Sequence, residues 1–140
     1  MVKTMSGKKY VQWWEVKEYL YNLIDRLKED KYFHLDECPG IFTFPRGGLI
    51  LATLLSYQIN KPILMNPEPG CIIIDDIIDT GITMKKYSDL MNDKNYFITA
   101  MFMKDTQLAE ESEFQCFCDY FEYVKKDEWI VYPWEDMSRW

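Results

Sequence analysis

The chain has 140 residues, 48% of them hydrophobic and 16% aromatic, with a net charge of −7; this composition is that of a folded chain, with room for a core without disulfides. No basic run exceeds a Lys-Lys pair, so no nucleic-acid partner is expected, because neutralising phosphates takes clustered Lys and Arg. The longest apolar stretch, Leu49 to Leu55, cannot span a bilayer and Met1 to Tyr10 carries no signal segment, which points to one cytoplasmic domain, 1–140, with no membrane partner.

Tyr10 to Trp13 read as a short extended lead-in. From Trp14 the periodicity predicts a helix, with Val16, Leu20, Leu23, Ile24 and Leu27 on one stripe and Lys17, Glu18, Asp25, Lys28 and Glu29 largely opposite. His34 falls in a polar connection and is expected at the surface. Gly40 to Phe44 predict the first central strand, which ends at Pro45-Arg46-Gly47-Gly48 before a helix over Leu49 to Gln58. Glycines let backbone amides approach a ligand and Arg supplies a fork of donors, so this strand end is a candidate anion site, with a plain turn as the alternative. Pro62 to Met65 predict a second strand, and Asn66-Pro67-Glu68-Pro69-Gly70 returns the chain to the sheet.

The most informative stretch follows. Cys71 to Ile74 are four apolar residues, the pattern of a strand buried on both faces in a parallel sheet. Asp75 and Asp76 come where such a strand is expected to leave the core. Asp79 precedes Thr80-Gly81-Ile82-Thr83, and a helical pattern begins at Met84. Gly81 permits a tight turn, and the free amides of a new helix, its positive dipole end and two hydroxyls suit a phosphate. The neighbouring acids can hold a divalent metal or sugar hydroxyls, since hard cations prefer oxygen ligands.

Met84 to Met91 predict a helix, Asn92 to Asn95 a turn, and Tyr96 to Met103 a buried strand ending in Lys104-Asp105. Thr106 to Glu113 read as a polar connection, Phe114 to Val124 as one strand or two, and Lys125 to Glu128 lead into Trp129-Ile130-Val131-Tyr132-Pro133-Trp134-Glu135. Alternating strands and helices with phosphate loops at strand ends call for an α/β fold, with ligands above the carboxyl edge of a parallel sheet. Cys38, Cys71, Cys116 and Cys118 match no zinc spacing, and His34 has no partner at ligand spacing, so reduced thiols are expected. A phospho-receiver module also uses strand-end acids, but its acid pair should follow the first strand rather than a middle one. Trp13, Trp14, Tyr19 and Tyr57, read as exposed aromatics, leave room for a homo-oligomer.

The run from Cys71 to Thr83 resembles the ribose-phosphate binding motif of type I phosphoribosyltransferases, and Pro45 to Gly48 resembles the pyrophosphate loop of their purine members. That loop often has a non-proline cis peptide entering its Arg or Lys, which makes Pro45–Arg46 the matching bond. Lys9-Tyr10-Val11 with Trp13, then Met103-Lys104, Asp119-Tyr120, Asp127-Glu128-Trp129-Ile130 and Pro133-Trp134-Glu135-Asp136-Met137 extend the likeness over most of the chain, and are similar to the xanthine–guanine branch of that family.

The resemblance implies a central parallel sheet flanked by helices, with a small hood at the C-terminal part. It also implies a magnesium-dependent enzyme of purine salvage. Ribose 5-phosphate would pass from phosphoribosyl pyrophosphate to guanine, xanthine or hypoxanthine with release of pyrophosphate. Arg46, Gly47 and Gly48 would hold pyrophosphate; Asp75 and Asp76 would meet the ribose hydroxyls and magnesium; Thr80, Gly81, Ile82 and Thr83 would take the 5-phosphate. Asp79 would handle the proton on purine N7, Lys104 would bind the 6-oxo group, Trp129 would stack on the base, and Ile130 would read the 2-position through its backbone. The family's long mobile lid, with a Ser-Tyr pair, is here expected to be shortened to Asn66 to Gly70, two of these being Pro, and no Lys or Arg occurs between Lys61 and Lys85. A non-catalytic sensor that binds phosphoribosyl pyrophosphate or a nucleotide is the alternative.

Overall fold

The computed structural model describes residues 7–78, 96–105 and 118–140. In chain order these form strand β1 (Lys8–Tyr10), helix α1 (Trp13–Glu29), strand β2 (Ile41–Phe42), helix α2 (Leu49–Ile59), and strands β3 (Ile72–Ile78), β4 (Phe97–Asp105), β5 (Cys118–Lys125) and β6 (Trp129–Val131). Short 3-10 turns lie at Leu35–Glu37 and Met137–Arg139. The main sheet has the order β2-β3-β4-β5, and every neighbouring pair is parallel. The expected α/β architecture, a central parallel sheet flanked by helices, is the one observed.

The isoleucine run explains why β3 is central. Side chains alternate across a strand, so Ile72 and Ile74 enter the core shared with α1 and α2, while Ile73 enters a second core with Phe42, Ile98 and Met103. All three are fully buried, each contributing roughly 1.5–3 kcal/mol relative to exposure. The strand runs further than Ile74: Ile77 and Ile78 pair with Phe102 and Met103, so Asp75 and Asp76 lie within the strand and not after it. Its other neighbour is short. The β2–β3 pairing stops at Phe42 and Ile73, and from there, among the described residues, the edge of β3 that faces β2 has no strand beside it.

In α1, Val16, Leu20, Leu23 and Leu27 are buried as the stripe predicts, but so is Tyr19. Tyr19 is fully buried, with its hydroxyl 2.7 Å from Thr99 Oγ1, which corrects its reading as an exposed aromatic; Trp13, Trp14 and Tyr57 are exposed. The helix α2 ends at Asn60, which adopts the left-handed conformation (φ 54°). The expected strand Pro62 to Met65 reduces to a single parallel bridge, Ile63 to Ile41, because Pro62 offers only its carbonyl to Ile41. His34 is exposed, and Cys38 and Cys71 are free, buried thiols. The expected helix Met84 to Met91, the turn Asn92 to Asn95, the connection Thr106 to Glu113 and Cys116 lie outside the described residues.

The C-terminal part forms its small second sheet with the other end of the chain. β6 pairs parallel with β1, placing Lys8 beside Trp129 and Lys9 beside Ile130. Arg139 ties this unit together, donating to the carbonyls of Val11 (2.6 Å) and Val131 (3.3 Å). Among the described residues no helix is long and apolar enough to cross a membrane.

Candidate functional site

The loop after β2 closes onto β3 where β2 has stopped. Glycine is required at two positions. A Cβ on Gly47 would lie 2.6 Å from both carboxylate oxygens of Asp76. One on Gly48 would collide with Thr43 Oγ1 and lie 2.8 Å from the Ile74 carbonyl. Backbone therefore packs directly on the acid-bearing strand, and no side chain caps the N-terminus of α2 at Gly48. The Pro45–Arg46 peptide bond is cis, the isomer the resemblance implies, and Arg46 is exposed beside the loop. Thr43 Oγ1 is buried with no hydrogen-bond partner among the described residues.

Asp75 is buried and Asp76 partly so. The Asp75 carboxylate accepts from the Asp76 N–H (2.8 Å), and the Asp76 carboxylate accepts from the Ile77 N–H (2.8 Å). Burial, followed by hydrogen bonding and repulsion from Asp75, pushes the Asp76 carboxyl well above the ordinary carboxylate range. Among the described residues no Lys, Arg or His forms an ion pair with Asp76. An acid pair of this kind is poised for an incoming positive charge or for hydroxyl donors. Two carboxylates suit a hard divalent cation, although among the described residues no group of three or more His, Cys, Asp or Glu could hold one.

Lys104 emerges one residue beyond the Met103–Ile78 pair, at the carboxyl end of β4. Its ammonium donates to the carbonyls of Lys126 (3.0 Å) and Glu128. The sequence reading aimed that ammonium at a ligand; here it is bound to the turn that leads into Trp129. Lys104 and Trp129 are thus brought together through Glu128. The Trp129 indole is 66% exposed, leaving a face open, whereas Ile130 is buried with its backbone in the β1–β6 ladder. Asp79, Thr80, Gly81, Ile82 and Thr83 lie outside the described residues.

Sequence reasoning missed Tyr132. Its hydroxyl donates to the Asp76 carbonyl (2.9 Å), so it joins the segment carrying Trp129 and Ile130 to the acid pair. Nothing in the local pattern announced this, because its partner is a backbone atom 56 positions away.

A parallel sheet of this order, with a glycine loop closing on an acid pair at the neighbouring strand, has the architecture of the type I phosphoribosyltransferase fold, and solved structures of that architecture superpose on the chain. It is related to several phosphoribosyltransferases. No protein-family model matches the sequence. The chain is 24% identical to a xanthine-guanine phosphoribosyltransferase of Idiomarina loihiensis over 152 residues, an alignment covering 90% of this chain and 86% of the relative. The crystal structure of a purine phosphoribosyltransferase from Pyrococcus horikoshii Ot3 superposes with a TM-score of 0.66 at 26% identity, covering 94% of this chain and 96% of that one. A hypothetical protein from Neisseria gonorrhoeae with bound ppGpp superposes with a TM-score of 0.67 over 98% of this chain and 94% of its own; at 17% identity it speaks for the fold alone.

Proposed function

We propose that this protein is a purine phosphoribosyltransferase, transferring ribose 5-phosphate from phosphoribosyl pyrophosphate to a 6-oxopurine and releasing pyrophosphate. The observation that carries this reading is the loop backbone pressed against the acid pair, with Gly47 leaving only 2.6 Å between a would-be Cβ and the Asp76 carboxylate. A fully structural turn has no need to drive bare backbone against two neighbouring acids. The likeness to purine enzymes supports the choice of base.

In this reading Arg46, Gly47 and Gly48 bind the pyrophosphate, and Asp75 and Asp76 bind the ribose hydroxyls together with magnesium. Magnesium held there supplies charge neutralisation on the departing pyrophosphate. Thr80 to Thr83 receive the 5-phosphate and Asp79 takes the proton from purine N7, help of a kind typically worth about 10²–10⁴-fold. Trp129 stacks on the base, the backbone of Ile130 reads its edge, and Lys104 exchanges one of its carbonyl partners for the 6-oxo group. The pocket aligns the nucleophile with the sugar, so orientation carries much of the rate.

The test is pyrophosphate release from phosphoribosyl pyrophosphate and magnesium with guanine, xanthine or hypoxanthine, and with orotate as the pyrimidine control. Release with a 6-oxopurine alone is expected; release with orotate alone overturns the base assignment. One feature favours a second reading, a non-catalytic sensor of the same ligands. Asn66 to Gly70 is a tight connection, closed by the Cys71 N–H on the Glu68 carbonyl (3.0 Å), and offers little chain to cover the site. Binding of phosphoribosyl pyrophosphate or nucleotide without release under any base selects the sensor.

A further inference from the structure

The C-terminal segment makes one bond to the acid-bearing strand that the chemistry above leaves unused. Tyr132 is 3% exposed and donates from its hydroxyl to the Asp76 carbonyl at 2.9 Å. Its ring is fixed by packing. Trp134 stacks on it with centroids 4.9 Å apart and planes within 7°, and Phe102 lies at 6.0 Å from another side. Trp134 is in turn braced by Trp13 of α1 at 5.9 Å. The hydroxyl is therefore aimed by the fold and has little freedom to choose another partner.

Asp76 depends on that aim. β2 has ended at Phe42, and the bridge pairs of β3 with β4 include Asp75 with Ala100 and Ile77 with Phe102, none of them Asp76. Its N–H goes to the Asp75 carboxylate and its carbonyl to Tyr132. Both backbone groups of this residue bond to side chains, while β4 holds the residues on either side of it, Asp75 and Ile77. Tyr132 also sits three residues after Trp129, in a segment pinned by the Trp129 N–H to the Gly7 carbonyl (2.7 Å).

We propose that Tyr132 is a positioning residue, whose hydroxyl holds Asp76 in register for the phosphoribosyl ligand and makes the acid pair and the Trp129–Ile130 segment move as one body. This rests on the reading of Asp75 and Asp76 as the phosphoribosyl pyrophosphate site. Tyr132 touches no substrate in this role; it acts through the backbone of Asp76. Small misplacements of a binding group are costly to oriented chemistry, which gives a lone hydroxyl its leverage.

Tyr19 provides a matched control. It is also a fully buried tyrosine, with its hydroxyl 2.7 Å from Thr99 Oγ1 and not on the carbonyl of Asp76. The full chain and its Tyr132→Phe and Tyr19→Phe variants are titrated calorimetrically with phosphoribosyl pyrophosphate and magnesium, with thermal midpoints measured alongside. Each variant loses one oxygen and keeps its ring, so both fold and both midpoints fall by about 3–8 °C. Only Tyr132→Phe weakens binding, by about five- to tenfold. Equal affinity in Tyr132→Phe and the unsubstituted chain overturns the proposal, as does an equal loss in Tyr19→Phe. If the unsubstituted chain binds but releases no pyrophosphate with any purine, the enzymatic reading fails and the same comparison of variants still decides the role of Tyr132. If it does not bind at all, both fall.

Discussion

Two acidic sites in one sheet solve the problem of a sheltered carboxylate in opposite ways. Asp119 is the second residue of β5 and is level with Ile74 of β3 by register through Thr99, about 10 Å away at ordinary strand spacing. Its carboxylate is gripped by both Arg26 nitrogens, one at 2.8 Å, and by the Thr99 hydroxyl at 2.8 Å, behind which Tyr19 completes the chain of donors. Charge and hydrogen-bonding capacity are both met within the protein, the condition under which a sheltered carboxylate is tolerated. Two residues further along β3 the pattern reverses. Asp76 forms no ion pair among the described residues, and burial first, then its neighbour Asp75, pushes its carboxyl up. The difference teaches that the first carboxylate is neutralised by folding and the second is not, which is what the proposed ligand site requires.

The largest effect follows from removing the unfinished charge. Asp76→Asn keeps shape while deleting one of two neighbouring acids, so the ligand-free thermal midpoint should rise by about 2–5 °C. Phosphoribosyl pyrophosphate-dependent turnover should fall by at least about 100-fold. A scan of thermal melts beside a pyrophosphate-release assay measures both. A midpoint that drops with turnover intact would break the comparison, since Asp76 would then be a structural group like Asp119.

Next in size is Gly48→Ala. The new Cβ has to displace Thr43 Oγ1, the Ile74 carbonyl at 2.8 Å or the Asp75 Cα at 3.1 Å, so loop and acids must separate. Affinity for phosphoribosyl pyrophosphate should fall by about 10–100-fold, and pairing it with Thr43→Ala should restore only part, because the two backbone contacts remain. Full restoration would mean that the threonine alone sets the spacing.

Asp119→Asn should act on the other side of the contrast. Arg26 loses its charged partner but keeps solvent access, its side chain being 39% exposed, so the loss is about 1–3 kcal/mol of stability and no more than about twofold in ligand affinity. Urea denaturation and the same calorimetric titration read the two quantities. A ligand-affinity loss as large as that of Asp76→Asn would erase the distinction.

How much of this could be read from residues alone varies with where each partner lies. The isoleucines of β3 announce themselves through a continuous apolar run, and Arg46-Gly47-Gly48 through the residue types that a close backbone approach demands. Tyr19 was recoverable: it lies three positions after Val16 and one before Leu20, inside the buried arc, but its hydroxyl made it look like surface until Thr99 appeared as its partner. Tyr132 was not recoverable, because a hydroxyl bonded to a main-chain carbonyl leaves no complementary side chain in the sequence. The placement of the acids within β3 turned on the pairing of Ile77 and Ile78 with β4, a long-range register that local patterning does not specify. Lys104 was expected at the carboxyl edge from its place after a buried strand, yet its present bonds to two carbonyls depend on where the Lys126–Glu128 turn folds back.

The smallest expected effect tests whether burial is benign for a group that is neutral at physiological pH. Cys71 immediately precedes β3 and is fully buried, with its thiol pushed by desolvation from 9.0 to about 11. A thiol is already protonated and neutral at neutral pH, so this burial does not change its protonation state there, whereas Asp76 on burial must either take up a proton or bear a sheltered charge. The sign follows from proton counting. Between pH 9 and 11 the folded chain keeps a proton that the unfolded chain has released, so this contribution to stability is complete below pH 9 and is lost as pH rises through 11. Its full size is about 1–3 kcal/mol. Cys71→Ala removes the titration and adds a small cavity, so it should be less stable than the unsubstituted chain at pH 8 and should close part of that gap by pH 10.5 in urea denaturation. A gap that stays constant with pH would mean that the thiol ionises as readily in the folded chain as in the unfolded one, and burial at the foot of β3 would then be no guide to the electrostatic cost five residues higher up.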